Sequence, residues 1–468
     1  MAALTRAIAA FHAGDLDRAA ALCMADGSPD AMHLLGLIAH QRGERFRAEA
    51  LVRQALAAQP DNARWQANLG AILIAREAWM PALLVLRKAV HADTSMADAH
   101  NNLALALLEA GYPEPALREA NAAIALKPRY AAAHNNRGAA LQDLQKLDEA
   151  RRAFDRAVTL NPKSDRARLN RGLNALLRGD FSQGWDDYEA RIVPRRPRAW
   201  DGRPLNGDSI CLYAEQGLGD ALHFARFAAV LAEQGEVILE VPRRLHPILK
   251  QLPGDFRLIG TDQIVPTRWT CPLMSLPRLV APTPERFTPQ MPYLSADPDR
   301  IVRWWVELPE APVKIGVCWQ GNPTARGDGT RSFSLQHLRS LAAIPGVALI
   351  SLQRGAGEPQ LDGVDWVHAL DGLDEDAAFV DTAAVMMSLD LVVTADTSVA
   401  HLAGALGRPV WIALRAVPDW RWMLDREDSP WYPTARLFRQ PTPGDWDAVF
   451  QRMKDVLIEE IAARPLEK

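Results

Sequence analysis

Residues 129–162 read RYAAAHNNRGAALQDLQKLDEARRAFDRAVTLNP. Asn136, Gly138, Ala150, Ala157 and Pro162 in this stretch belong to series spaced 34 apart along the first part of the chain. Ala48, Ala82, Ala116 and Ala150 form one series, and Ala55, Ala89, Ala123 and Ala157 another. Asn68, Asn102, Asn136 and Asn170 form a third. Gly36, Gly70, Gly138 and Gly172 form a fourth, with Ala104 in the missing step. Pro60, Pro128 and Pro162 close three units, and Thr94 takes the remaining slot. Agreement at so many independent positions marks an internal repeat, each unit two short amphipathic helices. Small Ala and Gly belong where paired helices cross closely. Pro ends the second helix because it has no N–H to continue it. Gly43, Gly111 and Gly179 fall in the turns between helices, where positive φ costs glycine little. One unit cannot bury its apolar face alone, so neighbours must stack into a superhelix.

This array resembles the tetratricopeptide (TPR) family over about residues 1–192. Residues 1–26 resemble a first helical pair with a shortened connection. The last unit departs from the pattern, with Gly184 and Trp185 where Ala and a small residue are usual, as suits a capping unit. The resemblance places first helices on the concave face of the superhelix. Asn68, Asn102, Asn136 and Asn170 there form a ladder of amides able to bond the backbone of an extended peptide. The TPR arm of O-GlcNAc transferases is similar. Asn at this point is also common in TPR consensus sequences, so a purely structural role stays open.

The rest of the chain is different material. The whole chain, of 468 residues, predicts two to four domains. A hydrophobic content of 48% with 24% charged residues excludes a mostly disordered chain. A net charge of -4 argues against a broad nucleic-acid footprint. No uncharged apolar run reaches the ~18 residues that span a bilayer. The start, MAALTRAIAAFHAGDLD, lacks the pattern of a secretion signal. Cys23, Cys211, Cys271 and Cys318 form no CxxC pair and read as reduced thiols. A cytoplasmic location is expected. Of 14 tryptophans only Trp65 and Trp79 precede residue 185, so composition splits the chain near residue 190.

Residues 193–208 (VPRRPRAWDGRPLNGD) read as a linker, its arginines either a solvated run or a phosphate-facing edge. Strand and helix then alternate. SICLYAEQ and EVILEVP read as strands, with ALHFARFAAVLAEQ a helix between them and RRLHPILKQL a short one after; residues 270–297 read as irregular. VKIGVCW, VALISLQ, DLVVTA and PVWIAL are strands of a second block, with helices between them and a last helix near 444–463. This predicts an α/β region of two Rossmann-like lobes, residues 209–300 and 311–440, before a C-terminal segment, 441–468. Ligands in such sheets sit at the carboxyl ends of the strands.

Four motifs fall at those ends. Gln216-Gly217-Leu218-Gly219-Asp220 is a strand-to-helix turn whose glycines let backbone approach a ligand and whose Asp220 is either a base or a helix cap. Thr394-Ala395-Asp396-Thr397-Ser398-Val399-Ala400-His401 opens a helix whose free N–H groups favour an anion, with Thr397 and Ser398 adding donors. Trp319-Gln320-Gly321-Asn322-Pro323 runs on to Arg331-Ser332, where Arg331 offers a fork for phosphate oxygens. Asp419-Trp420-Arg421-Trp422 either packs a nucleotide or packs the lobes together.

Together these resemble GT-B glycosyltransferases of the heptosyltransferase-like group and its bacterial TPR-fused relatives, over about residues 209–440. ADTSVAHLAGALGRPVW is the most specific part; it is close to an Asp-Thr-Gly-x-x-His helix start, with Ser398 in place of the glycine. GLGDALHF resembles the turn that carries the base in heptosyltransferases. The first lobe is shorter than a full GT-B lobe. The resemblance implies an inverting, metal-independent transfer from a nucleotide-sugar, without further cofactor. In it Asp220 is the base, and Thr397, Ser398, Arg331 and the helix start stabilise the leaving phosphate. His401 either bonds that phosphate or is a satisfied half-buried histidine. Gly217, Gly219, Trp319, Asn322, Ser332, Gln353, Asp396 and Trp420 complete the expected donor-binding set. Asp297-Pro298-Asp299 is not read as a metal site. The expected acceptor is Ser or Thr of a polypeptide in the TPR groove, flagellin being one that the resemblance suggests. Two other readings compete: an enzyme acting on lipopolysaccharide or another glycan, with the arm only docking it, and a non-catalytic adaptor with a decayed transferase half.

Overall fold

The computed structural model describes residues 2–191, 196–287, 291–324 and 328–463. It divides into two compact units, Met1–Asn174 and Ala175–Lys468.

The first unit is a row of antiparallel helix pairs: α1 (Ala2–His12) with α2 (Leu16–Asp26), α3 (Pro29–Gln41) with α4 (Arg45–Ala58), α5 (Ala63–Ala75) with α6 (Trp79–Ala92), α7 (Ala97–Glu109) with α8 (Pro113–Leu126), and α9 (Ala131–Asp143) with α10 (Leu147–Leu160). The helix α11 (Asp165–Leu177) follows. Both alanine series are buried, at 0–1% exposure. The glycine series explains how the pairs close. A Cβ on Gly36 would meet Val52 at 2.5 Å, one on Gly70 would meet Leu86 at 2.4 Å, and one on Gly138 would meet Phe154 at 2.6 Å. Each partner lies sixteen positions on. Where Ala104 replaces the glycine, the residue sixteen on is Ala120, fully buried. The repeat therefore conserves the summed volume of a contact, not the identity of one residue. The turns within the pairs behave alike. Gly43 and Gly111 sit at φ 78° and 81°, while Glu77 and Gln145, at the same repeat position, accept φ 60° and 61°.

A further periodic device lies between repeats. Gln66 Nε2 donates to the Pro60 carbonyl at 2.7 Å, His100 Nε2 to Thr94 at 3.1 Å and His134 Nε2 to Pro128 at 3.0 Å. Each side chain thus ties its helix to the turn six residues back.

The second unit holds two all-parallel sheets. The first contains β1 (Ile210–Tyr213), β2 (Val237–Glu240), β3 (Phe256–Ile259) and β4 (Trp269–Pro272), in the order β3-β2-β1-β4. The second contains β5 (Val313–Cys318), β6 (Val347–Ser351), β7 (Val367–His368), β8 (Leu391–Ala395), β9 (Val410–Leu414) and β10 (Ala435–Arg439), in the order β10-β9-β8-β5-β6-β7. Each sheet runs outward from its first strand and then reverses to the other side, the doubly wound arrangement. The crevice where the direction reverses is where such sheets hold ligands. It lies between β1 and β4 in one sheet and between β5 and β8 in the other. The sequence reading missed β3, β4, β7 and β10, and β4 falls within the segment read as irregular. The long helix expected after β1 is interrupted, as α13 (Leu218–Ala225) and a second, short helix, Ala228–Ala232. The helix expected near 444–463 is Trp446–Ala463.

The helix α12 (Phe181–Tyr188) packs on the first sheet's layer. The Trp185 indole donates to the Pro282 carbonyl at 3.0 Å, and Arg278 pairs with Asp186 at 2.9 Å. In the expected linker, Val193, Pro194 and Arg195 lie outside the described residues, as do residues 464–468 of the C-terminal segment. Part of the rest of the linker is held by contacts, although residues 201–208 are mostly exposed. Arg196 forks onto Glu240 at 2.5 and 2.8 Å, Arg198 donates to the Thr267 carbonyl and Arg203 pairs with Asp201. Arg196 and Arg198 are thus engaged within the protein, while Arg203 stays exposed to solvent beside Asp201.

The volume rule is testable. Gly70→Ala should destabilise the first unit by about 1–3 kcal/mol through overpacking against Leu86. Gly70→Ala with Leu86→Ala, which copies the Ala104 and Ala120 pair, should cost less than the two single costs added. Additive losses in urea unfolding would contradict the rule.

Candidate functional site

The turn after β1 carries two acidic groups. Asp220 opens α13, and its Oδ2 accepts the Gly217 N–H at 3.1 Å. Its other oxygen, Oδ1, accepts from Arg421 Nη2 at 2.6 Å. Of the two roles considered for Asp220, this geometry is that of a helix cap, and the same carboxylate carries a paired charge. Burial raises its carboxyl above the usual range; Arg421 opposes this and Asp419 adds to it. Glu215, five residues earlier, has a side chain with 0% exposure. Its Oε1 accepts from Arg191 Nη2 at 2.7 Å, while Oε2 has no partner among the described residues. Burial pushes its pKa up to about 7 against the pull of Arg191. Arg191 also donates to Ser275 Oγ at 2.7 Å and pairs with Glu189 at 2.9 Å.

The loop after β9 supplies the opposite charge. Arg421 is 6% exposed and donates to both Asp220 and Asp419, the latter at 2.8 Å. Asp396, at the end of β8, lies in the same field. Burial and the Asp419 carboxylate push its pKa up to about 6, while Trp422, Arg331 and Arg421 pull it down. The carboxyl ends of both sheets thus converge on one cluster of carboxylates and guanidiniums.

Helix Ser398–Ala405 follows Asp396 and packs on α13. Thr397 caps it, its Oγ1 accepting the Val399 N–H at 3.3 Å. Ser398 is the first, half-buried residue. His401 is 6% exposed, with Nδ1 3.0 Å from the Tyr432 hydroxyl and its ring stacked on Trp422 at 5.5 Å. Burial, with Arg421, Arg226 and Arg331 nearby, holds His401 well below the ordinary histidine range, hence neutral. His223 sits 4.8 Å away, and neither of its ring nitrogens has a partner among the described residues.

Several expected donor contacts are used inside the protein instead. Gly217 keeps an ordinary φ of -69°, so it serves no left-handed turn. Gly219 needs its smallness for packing, since a Cβ there would lie 3.1 Å from His401 Cδ2 and 3.2 Å from Ser398 Cα. Trp319 is fully buried in the core of the second sheet, and Trp420 is packed against Trp185 at 5.3 Å and Tyr188 at 5.6 Å. Neither ring presents a face to a ligand; of the two readings of the fourth motif, packing describes Trp420. Gln353 is satisfied by backbone: Oε1 accepts from Trp319 and Gln320 N–H groups, and Nε2 donates to the Gln320 and Arg354 carbonyls. Asn322 is exposed but shapes its own turn, accepting from Thr324. Asp297 caps the following helix through the Asp299 N–H.

Two clefts border these residues. One, of about 390 Å³, lies at the end of β5 beside Gln320, Asp328, Ser332, Phe333, Gln360 and Trp446. Ser332 there accepts the Gly321 N–H at 3.1 Å, and Arg331 spends its Nε on buried Asp328 at 3.0 Å. The other, of about 330 Å³, lies past β6 and includes Arg354, Glu358, Asp371 and Glu375.

The asparagine series forms a ladder, but one that joins repeats. Asn136 Nδ2 donates to Asn101 Oδ1 at 3.0 Å, and Asn170 Nδ2 to Asn135 Oδ1 at 2.9 Å. Asn68 Nδ2 lies 3.0 Å from His33 Nε2. Asn136 is 3% exposed and is closed to a peptide. Asn102 differs because the residue 35 positions back, where the other ladder members find their partners, is Ala67, which offers no side-chain acceptor. Asn102 is half-buried and accepts from Asn101 at 3.3 Å through Oδ1.

Sequence reasoning did not single out Arg191, Glu215, His223 or Tyr432. The repeat period of 34 was the only strong long-range signal available, and none of these lies on it.

A tetratricopeptide-repeat model matches residues 131–164. The chain is 28% identical over 321 residues to protein FlbA of Caulobacter vibrioides, an alignment covering 60% of this chain and 53% of that protein. It thus spans about half the length of that curated relative. Similar solved structures include YrrB, described as a TPR protein with an unusual peptide-binding site (22% identity, 35% of this chain and 88% of that one, TM-score 0.32). PilF of Pseudomonas aeruginosa is another (20% identity, 40% and 87%, TM-score 0.36). No helix among the described residues is long and apolar enough to cross a membrane. The chain carries tetratricopeptide repeats followed by a region of parallel sheets.

Glu215 makes a pH prediction. Its pKa is about 7 in the folded chain against an ordinary 4.5, so the folded state binds more protons between those values. Stability from this group is therefore greatest in acid and falls as the pH rises from 4.5 to about 7. Glu215→Gln should flatten that fall in urea midpoints; parallel wild-type and variant profiles would contradict it.

Proposed function

We propose that the second unit is a two-lobed glycosyltransferase taking a nucleotide-sugar donor, and that the repeats hold a polypeptide acceptor for transfer to Ser or Thr. The observation that supports this best is the convergence of Asp220, Arg421, Asp396 and Asp419 at the carboxyl ends of two sheets with the same winding. A GT-B arrangement has its chemistry at such a place. In this reading Arg331, Arg421 and the start of helix Ser398–Ala405 stabilise the leaving phosphate. A phosphate beside Arg421 competes with Asp220 for the guanidinium. Asp220, its carboxyl already raised by burial, is then free to take the acceptor hydroxyl proton. The reaction is inverting and metal-independent, as the family resemblance implies. On the acceptor side, Asn102 is the member of the ladder best able to meet a peptide. Flagellin is one acceptor consistent with the resemblance.

A second reading, a non-catalytic adaptor, is favoured by one specific observation. Asp220, Thr397 and Gln353 already have protein partners, and Trp319 and Trp420 are packed away.

A thermal-shift screen with CMP-, UDP-, GDP- and ADP-sugars separates the two. The transferase reading expects one class to raise the melting temperature. It also expects Asp220→Asn to keep that shift while losing transfer by about 10²-fold or more. No shift with any donor would sink it and leave the adaptor.

A further inference from the structure

Tyr432 is fully buried, yet its ring lies directly on the backbone of helix Ser398–Ala405. It can do so only because residue 404 is glycine; a Cβ there would sit 2.3 Å from the Tyr432 ring. This close approach brings the hydroxyl to 3.0 Å from His401 Nδ1. The histidine is clamped on its other sides. Trp422 stacks on it at an interplanar angle of 16°, and its Cδ2 edge faces Gly219 in the Asp220 turn. From these contacts we infer that Tyr432 is a positioning residue, which donates its O–H to His401 Nδ1 and so fixes the imidazole as the Nε2–H tautomer. That leaves His401 a neutral hydrogen-bond donor, suited to an anionic oxygen and not to proton transfer.

The direction of the bond follows from what surrounds it. Arg226 is 4% exposed and donates to the His223, Phe287 and Trp431 carbonyls and to the Tyr293 hydroxyl at 3.1 Å. Its guanidinium carbon lies 4.6 Å from the Tyr432 ring centroid. A cation there polarises the phenol and makes it a better donor. Tyr293 also reaches Tyr432 with a side-chain hydrogen bond, but its oxygen already accepts from Arg226, and Tyr293 donates to the Leu222 carbonyl. An imidazole nitrogen is a stronger acceptor than a phenol oxygen so engaged. Tyr432 therefore gives its proton-bearing side to His401. This role rests on the transferase reading only in naming what His401 would meet.

Nitrogen NMR of the full chain labelled at histidine tests it at pH 7, with His401→Gln assigning the resonances and inorganic pyrophosphate as the anionic probe. The wild-type chain should show His401 protonated at Nε2 and bare at Nδ1, a result that needs no variant. Tyr432→Phe should mix the tautomers and weaken pyrophosphate binding by about threefold to tenfold, the scale of one lost hydrogen bond. An Nδ1–H tautomer in the wild type, or an unchanged spectrum in Tyr432→Phe, would overturn the inference. Tautomers as expected with pyrophosphate bound by neither protein would uphold Tyr432's role and instead defeat the phosphate site of the transferase reading.

Discussion

The buried guanidinium of Arg421 is the constraint on which the second unit depends. It bonds Asp220, in the turn after the first strand of one sheet, and Asp419, in its own loop after β9 of the other. An arginine so deeply buried is costly unless its charge is met. These two carboxylates meet it, and its pKa is held up against burial by Asp419 first and then Asp220. Because Asp220 also caps α13, the ion pair sets where that helix starts. Because α13 packs on helix Ser398–Ala405, it also sets how closely the two helix starts approach, with Gly219 and Ser398 in contact.

The aromatic residues fill the space around that link. Trp185, Trp420, Trp431, Phe224 and Phe287 form edge and stacked contacts, closest between Phe287 and Trp431 at 3.7 Å. Part of the tryptophan excess in this half, Trp185, Trp420, Trp422 and Trp431, is thus spent on packing around the ionic cluster. Low-dielectric walls of this kind strengthen the charges they enclose and raise the pKa values of the carboxylates among them. A phosphate arriving there would enter an environment already organised by fixed charge.

The first unit was legible because its physics is periodic. Each repeat solves the same contact, so small residues recur at 34 and the helices can be placed by counting. Even the exception at Ala104 has a visible partner in Ala120. The second unit was legible in its strands of unbroken apolar residues, such as Leu391–Ala395, and less so elsewhere. FRLI at β3 and WTCP at β4 alternate or mix exposed and buried positions, and a two-residue edge strand such as Val367–His368 leaves no pattern. Asp220 and His401 were singled out because turns after strands are marked by glycine and by helix starts. Arg421 was seen within its motif, but its partner lies 201 positions away, and no spacing rule connects them. Trp319 was expected to meet a donor for a related reason: a tryptophan after a strand reads the same whether it meets a ligand or closes a core, and for Trp420 the sequence left both readings open.

In the proposed function the repeats hold a protein partner, and the parallel sheets supply the ionic site. Both the transferase and adaptor readings require the two sheets to be held by the Arg421 link. A double-mutant cycle with Asp220→Ala and Arg421→Met, read by urea unfolding, measures that link most directly. The account predicts a coupling of about 1 kcal/mol or more between the two sites. Independent, additive losses would show that the ion pair does not hold the sheets together, and would contradict the account.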